Sequence, residues 1–535
     1  MSPTVYPLEV ISRPAARTAT KATLLALAVA LVSACGTLDF DPASEAPTDA
    51  SVPETGTFAD ARVDAGPDAT PDAQVDAGPA RMAVSHPREL RAAWVASVFN
   101  LDWPSRQGLT AAAAQAELTT LLDALVAAGA NAAFLQVRPE SDALYDSALE
   151  PWSRFLSGTQ GASPGWDPLR FAIDQAHARG LELHAWLNPF RAATNASLPL
   201  APTHVATRLA EHAHLYGSTV TMDPGSPAVR DHVVAVVRDI VSRYDVDGVV
   251  FDDYFYPYPI AGTPYPDDAT YADYQAGGGS LSRSAFRRAN VDAFVHAAHL
   301  AIRAARPGTR FGVSPFGIYR PGQPTGVVGL DAYEALAADS LAWLAAGDVD
   351  YLAPQLYWPT TSTGQPFASL AAWWSSKTAA AGKWLVPALD LTKAGTTNWD
   401  LGEYRAQVSA VRGLAGSGAR GATLYAARNL LRDTGGVGTL FRTELWARPA
   451  LPPPLADATG RVEPPTVRLR GDVAELSHDD ARIRGFAVYR VDGPPALDRW
   501  IRARTASVTL ERGSWAISAV DAQGLESDGA VLTNP

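Results

Sequence analysis

Between residues 86 and 447 short apolar runs alternate with helix-period stretches, and this alternation constrains the fold more than any other feature of the chain. The runs are 91–98 (RAAWVASV), 132–138 (AAFLQVR), 181–188 (LELHAWLN), 247–253 (DGVVFDD), 310–316 (RFGVSPF), 350–357 (DYLAPQLY), 383–391 (KWLVPALDL) and 421–427 (GATLYAA). Their length and their flanking turn residues mark them as strands. Helical patterns lie between them at 111–128, 167–179, 227–243, 285–305 and 402–414. Gly129, Gly180, Gly382 and Gly416 stand where helices should end, since a chain leaving a helix often needs a left-handed residue there. Eight β–α alternations predict an α/β fold, a (β/α)₈ TIM-like barrel with insertions, over 86–447. An open doubly wound sheet fits less well, because no Gly-rich phosphate-binding turn follows the first run.

The flanks have a different texture. Residues 448–462 (RPALPPPLADATGRV) read as a Pro-rich linker. Residues 463–535 contain VRLR, GFAVYRVD, ASVTLE and SWAISAVDAQG, short alternating runs separated by turn signals, which predict a small all-β sandwich. The segments AVYRV and AISAVDAQGLES resemble the central strands of fibronectin type III modules. At the other end, Arg13, Arg17 and Lys21 precede an apolar stretch, 22–32 (ATLLALAVALV). That stretch is too short to span a bilayer, which takes about 20 apolar residues, and it reads as a secretory signal. It ends in Val32-Ser33-Ala34-Cys35, which resembles the bacterial lipobox; Cys35 is the only cysteine of the chain. Residues 1–35 are therefore read as a lipoprotein signal peptide ending at Cys35, which is expected to be lipidated and, after cleavage just before it, to be the first mature residue. This would make the protein a cell-envelope lipoprotein held to a membrane, with the outer membrane as the expected site. Residues 36–85 are rich in Ala, Asp and Pro, as in DAGPDATPDAQVDAGPA. With few large apolar groups they read as a disordered tether.

A net charge of −12 excludes a nucleic-acid partner, because phosphate binding needs a basic surface. There is no His-Glu-x-x-His and no Cys pair, so neither a metal site nor a cofactor is expected. His212 with His214, and His296 with His299, read as solvated or packed pairs. No Gly-x-Ser-x-Gly elbow supports an esterase. The 14 Trp and 17 Tyr bear instead on sugar, whose apolar ring faces stack on aromatic groups.

Barrel enzymes place their chemistry at the C-terminal ends of the strands, and here those ends are polar and aromatic. They carry Gln136, Arg138 and Asp142; His184, Trp186, Asn188 and Arg191; Asp252, Asp253 and Tyr254; Ser314 and Arg320; Gln355, Tyr357 and Trp358; Asp390; and Tyr425 with Arg428. On the fourth run side chains alternate, so Val250, Asp252 and Tyr254 face one way, and Val249, Phe251 and Asp253 the other. Asp252 is expected to point into the barrel mouth and Asp253 to sit at the rim. The spacing Asp247-Gly248-x-x-x-Asp252 resembles the signature of chitinase-like barrels, but Tyr254 stands where those have an acidic residue.

Glycoside hydrolysis uses two carboxyl groups across the scissile bond, and neighbouring acids push one pKa up, as a general acid requires. Asp252 is read as the principal catalytic carboxylate and Asp253 as its partner, with Glu140, Asp142 and Asp390 as alternatives for the second group. Arg138, Arg191 and Arg320 are fixed cations for a carboxylate or a substrate anion, or else rim ion pairs. Trp94, Trp186, Tyr254, Tyr357 and Trp358 are candidate sugar platforms or core residues. His184 shares the face of Trp186 and is read as orienting the acid. Gln136, Asn188, Ser314 and Gln355 complete the candidate substrate-binding set.

Taken together, QVRPESDALY, HAWLNPFR, DGVVFDDYFYP, the RRANVDAFV helix, SPFGIYRPG and DYLAPQLYW resemble, in order and spacing, the glycosyl-hydrolase-like 10 family of bacterial envelope proteins. The resemblance covers roughly residues 86–447. It implies a barrel glycosidase acting on envelope glycan, with peptidoglycan strands stripped of their stem peptides as the leading substrate and a fibronectin-like module following. Glu140-Ser141 departs from the small residue or glycine expected there. Two other functions compete: a non-catalytic glycan-binding barrel, and an amylase-like hydrolase of another polysaccharide.

Overall fold

Every one of the eight apolar runs forms a strand. In the computed structural model, which describes residues 80–535, these are β1 (Leu90–Val95), β2 (Ala132–Arg138), β3 (Glu182–Leu187), β4 (Gly248–Phe251), β5 (Arg310–Val313), β6 (Tyr351–Leu352), β7 (Trp384–Leu385), β8 (Ala388–Asp390) and β9 (Gly421–Tyr425). Cys35, its signal stretch and most of the expected tether lie outside the described residues. All ladders of this sheet are parallel, in the order β7-β6-β5-β4-β3-β2-β1-β9-β8. β7 and β8 are two halves of one run, divided at Val386-Pro387, where proline has no N–H to give. β7 pairs with β6 and β8 with β9, and Leu356 N donates to Ala388 O (3.1 Å) across the gap. The two ends of the sheet are thus one strand, and the barrel closes at eight.

The alternation has a direct packing consequence. Leu90, Ala92, Trp94, Phe134, Trp186, Val250 and Tyr351 fill the barrel interior. Ala93, Val95, Leu135, Val249 and Phe251 face outward, where the helices cover them. One interior layer is built of rings: Phe134 stacks on His184 at 4.6 Å, and His184 Nδ1 lies 3.0 Å from Tyr351 Oη. Glycine makes room for it. A Cβ at Gly248 would lie 2.4 Å from the His184 ring, and one at Gly312 would lie 2.1 Å from Tyr351.

The helices follow the expected pattern. Ala111–Ala127 buries Ala114, Leu118, Leu121, Leu122 and Leu125, one face at helical spacing, and the Thr110 side chain accepts from Ala113 N. Pro227–Arg243 buries Val229, Val233, Val236, Val237 and Ile240 in the same way, with Pro at its first position. Gly129 (φ 82°), Gly180 (φ 78°) and Gly382 (φ 66°) take the left-handed conformation. After Leu401–Gly413 that role belongs to Gly418 (φ 92°) rather than Gly416, because a short 3₁₀ turn, Ala415–Ser417, prolongs the helix end.

Two further units attach to the barrel. After β3 the chain leaves to form an antiparallel sheet of Arg191–Ala193, Thr219–Met222 and Ala213–Tyr216. Beyond the barrel, Thr466–Arg470, Val473–Ser477 and Thr505–Thr509 form one antiparallel sheet. Gly529–Asn534, Gly513–Asp521, Ile483–Arg490 and Ala496–Ile501 form a second, and its outer strand is Arg81–Met82, from the end of the stretch read as a tether. The core of this sandwich is Leu476, Phe486, Val488, Val508, Trp515 and Ile517. The Pro-rich segment 448–462 is packed: Leu451, Leu455 and Val462 are buried, and Asn131 Nδ2 donates to Ala450 O (2.8 Å).

The sandwich docks on the N-terminal end of the barrel, opposite the strand ends that carry the chemistry. Trp500 rests against Gly180, where a Cβ would come within 2.9 Å of its ring. Asp247, which opens β4, receives bonds from Leu183 N (2.8 Å) and Arg502, with His177 Nε2 at 2.8 Å. Burial disfavours its charge, but Arg502 and His177 hold the carboxyl well below the usual range.

Candidate active site

The C-terminal strand ends surround a cavity of about 190 Å³, the size of a single sugar ring. Its walls are Trp94, Val98, Gln136, Trp186, Arg191, Asp252, Tyr254, Ser314, Gln355, Tyr357 and Tyr425. A larger cleft of about 880 Å³ opens at the other end of the barrel, lined by Arg88, Glu89, Lys383, Arg412 and Arg420. Glu89 is the carboxylate there and is already paired with Arg91 and Arg412. Barrel chemistry belongs to the C-terminal face, and the smaller cavity is the one that holds a free acid.

That acid is Asp252. Strand β4 ends at Phe251, and the expected register holds: Val250 faces the interior, and the next side chain on that face, Asp252, enters the cavity. Trp186 Nε1 donates to its Oδ2 at 3.1 Å, and Asn188 Nδ2 donates to the same oxygen. The other oxygen, Oδ1, is buried without a partner among the described residues. Burial pushes the pKa of Asp252 up to about 7, and the charge of Asp253 adds to the rise, against Arg191 and the Trp186 bond. Such a carboxyl keeps a proton near neutrality and has an oxygen free to deliver it.

Asp253 sits behind this surface. It is fully buried, accepts from Gln355 Nε2 (3.0 Å) and Tyr258 Oη, and has its pKa raised by burial against those two bonds. The alternatives for the second carboxylate lie elsewhere. Glu140 pairs with Arg154 and accepts from Thr194 N. Asp142, raised to about 7 by burial and by Glu140, accepts from Glu140 N and Gln160 Nε2. Asp390 caps the turn at Thr392 and pairs with Lys393 at 3.1 Å. None of these three lines the cavity.

The structure gathers Gln136, Trp186, Arg191, Tyr254, Ser314, Gln355 and Tyr357 around Asp252. Gln136 Oε1 accepts from Ser97 N and Val98 N (both 2.9 Å), while its Nε2 donates to Asn188 Oδ1, which fixes the Asn188 amide against Asp252. Ser314 Oγ donates to Ala353 O, and Gln355 also donates to Ser314 O. Tyr254 is 40% exposed at the rim, and Tyr357 stacks near Tyr425 at 5.9 Å.

Besides Asp253 and Asn188, which stand behind the wall, five expected site residues fall outside the cavity. Arg138 is fully buried in a bidentate pair with Glu150 and donates to Asn188 O and Pro189 O, so it staples β2 to β3. Asp142 belongs to the loop network behind the wall. His184 lies in the ring layer, with Glu182 at 3.1 Å from Nε2, and makes no contact with Asp252; its distance along β3 from Trp186 carries it one layer too deep. Arg320 pairs with Asp331 and Glu334 over the Tyr333 ring. Trp358 packs edge-on against Phe316 at 5.6 Å. Sequence reasoning missed Val98 and Tyr258. Val98 closes the run read as a strand over 91–98, but the strand stops at Val95 and a 3₁₀ turn, Val98–Asn100, carries Val98 to the wall. Tyr258 lies in the Tyr-Pro-rich loop after β4, and its bond to Asp253 follows from how that loop folds back.

Comparison with known proteins bears on the family of the chain. The sequence profile of the family described as glycosyl hydrolase-like 10 matches residues 89–394. Glycosyl hydrolase YngK of Bacillus subtilis is 36% identical over 429 residues, covering 76% of this chain and 83% of the relative. Glycosyl hydrolase DigH of Escherichia coli K12 is 37% identical over 307 residues, 54% of this chain and 69% of that protein. The PgaB (BpsB) glycoside hydrolase domain of Bordetella bronchiseptica is similar at a TM-score of 0.45 and 13% identity, over 66% of this chain and 98% of that domain. The profile spans more than half of the chain and one relative matches three quarters of it, so this protein is a glycoside hydrolase and belongs to the glycosyl hydrolase-like 10 family.

Proposed function

We propose that this glycosidase is a lipid-anchored enzyme of the bacterial cell envelope that cuts peptidoglycan glycan strands lacking stem peptides. The observation that carries the reading is Asp252: a carboxyl with its pKa pushed to about 7, one oxygen held by Trp186 and Asn188 and the other free, in a ring-sized cavity walled by aromatic groups. The protonated carboxyl donates to the glycosidic oxygen as the C–O bond breaks. Water supplies the hydroxyl that bonds to the anomeric carbon, and its remaining proton returns to the carboxyl pair. Asp253 is the partner, because its charge helps hold the proton on Asp252 and its oxygens position Gln355 and Tyr258. Trp94, Trp186, Tyr254, Tyr357 and Tyr425 supply ring faces, and Gln136, Ser314 and Gln355 polar contacts, for the sugar.

The envelope setting is supported by the basic, apolar and lipobox-like order that ends in Cys35, with the part of 36–85 ahead of the strand Arg81–Met82 as the tether. We take 86–447 as the catalytic domain, 448–462 as the linker and 463–535 as a fibronectin type III-like module. Support for the module is the strand order, three strands facing a sheet that runs Gly529–Asn534, Gly513–Asp521, Ile483–Arg490, Ala496–Ile501.

Digestion of three substrates tests the function. Soluble disaccharides are expected from amidase-treated sacculi, and little release from intact sacculi or neutral glucans. Release from neutral glucans alone would overturn the peptidoglycan assignment. Expression in a bacterial host with labelled palmitate tests the anchor: label is expected on the wild type and not on Cys35→Ser, and an unlabelled membrane-free wild type rules it out.

A further inference from the structure

Among the described residues that wall the cavity, Arg191 is the only cation. The other two arginines expected at the barrel mouth are already neutralised, Arg138 by Glu150 and Arg320 by Asp331 and Glu334. Arg191 is different. Nε donates to Pro139 O (2.9 Å) and Nη2 to Asn188 Oδ1 (2.7 Å), both uncharged acceptors. Among the described residues nothing accepts from Nη1, and no carboxylate comes within 4 Å of the guanidinium. The Tyr254 ring lies 5.4 Å away beneath it. The side chain is thus pinned in one pose with a charged edge left over.

Arg191 also works against the acid: its charge favours the ionised form of Asp252. A cation placed only to serve the proton donor would be counterproductive. When Asp252 carries the proton it will donate, Asp253 behind the wall still interacts with the charge on Arg191, but no carboxylate of the cavity wall pairs with it. A fixed, partly buried guanidinium beside a sugar-sized cavity matches a carboxylate carried by the sugar, through paired N–H···O bonds.

We infer that Arg191 recognises the free carboxylate of the 3-O-lactyl group of N-acetylmuramic acid and is the specificity residue for strands without stem peptides. This rests on the peptidoglycan reading above. A stem peptide converts that carboxylate to a neutral amide; its removal restores the anion. Arg191 therefore reads whether the strand has been stripped, by charge as well as by bulk.

The test uses amidase-treated glycan and the same glycan with its lactyl carboxylates coupled to methylamine, a small neutral amide. For the full-length wild type, kcat/KM on the free acid is expected to exceed that on the methylamide by roughly 10- to 100-fold, the range for a charge-assisted bond. For Arg191→Gln the ratio falls to near one; for Arg191→Lys, which keeps the charge without the fork, it lies between. The ratio within each variant is independent of how much of it folds. A wild-type ratio near one, or an Arg191→Gln ratio equal to that of the wild type, overturns the inference while leaving peptidoglycan hydrolysis in place. No cleavage of either glycan refutes the function itself. Hyaluronan provides a carboxylate on a hexuronate ring, and its preferential cleavage would take the ligand away from the lactyl group and overturn the assignment.

Discussion

Asp252 and Asp253 are neighbours in sequence with different surroundings, and that difference sets what each does. Asp252 faces the cavity with a free oxygen; Asp253 has both oxygens engaged, by Gln355 and Tyr258. Because the charge of Asp253 raises the pKa of Asp252, Asp253→Asn is expected to move the alkaline limb of kcat/KM toward lower pH; an unmoved limb would separate the two carboxyls. The buried acid also costs stability. Folding raises the pKa of Asp252 to about 7, so the folded chain holds the proton more tightly than the unfolded chain. Stability is therefore lost as pH rises from about 4 toward 7. Asp252→Asn, which never ionises, is expected to be more stable than the wild type at pH 8 by up to about 4 kcal/mol. The gap should close as pH falls to 4, as denaturant titration at the two pH values would show. The register of Asp252 was legible in the alternation of VVFDD. The burial of Arg138 and His184 was not, since their partners Glu150 and Tyr351 lie on a distant loop and another strand.

At the scale of elements, the strand ends hold their shape through a few buried polar staples. The largest is Arg138, at the end of β2, which binds Glu150 with two N–H groups and two backbone carbonyls beyond β3 with a third nitrogen. Burial opposes the Glu150 charge, but Arg138 and then His232 bring its pKa down to about 2. Glu150→Gln leaves the guanidinium buried without a counter-ion, and breaking such a pair costs about 3–5 kcal/mol. The expected result is a lower denaturation midpoint with unchanged kcat/KM pH limbs in the remaining folded enzyme; an unchanged midpoint would make the staple incidental. The eight strands and five of the longer helices were readable because each buries one face or both at a fixed period; the helix Phe367–Ala380, rich in Ala and Ser, was not among them. The antiparallel excursion Arg191–Met222 was not, because its strands are three or four residues long and partly exposed. Yet it is this excursion that sets Arg191 at the cavity. The division of the seventh strand at Pro387 was equally hidden: the run KWLVPALDL reads as one strand, and its two pairing partners emerge only when the barrel closes.

Across the whole molecule, the two ends of the barrel have separate tasks. One end carries the cavity; the other holds the β-sandwich through Trp500, the Arg484–Asp245 pair (2.9 Å) and the buried Asp247. Arg502→Met strips Asp247 of its main cation, so full-length protein is expected to lose about 3 kcal/mol or more. It should then melt in two steps where the wild type melts in one; a single unchanged melt would show that the sandwich merely rests there. Asp247 has a depressed pKa in the folded chain, so its contribution is present above the unfolded value and is lost progressively below about pH 4. The cost of Arg502→Met should shrink in that acid range. The sandwich could be read from sequence as a separate β unit, but its docking could not, because Arg502 and Asp247 are 255 positions apart. The account as a whole turns on Asp252 as the proton donor. Its most direct test is kcat/KM on amidase-treated sacculi from pH 5 to 9, for the full-length wild type and Asp252→Asn. The expected result is a wild-type decline above an apparent pKa of about 7, with activity at least 100-fold lower and no such limb in the variant, the size of effect seen when a general acid is removed. Activity within tenfold of the wild type, or a wild-type profile flat through pH 9, would contradict it.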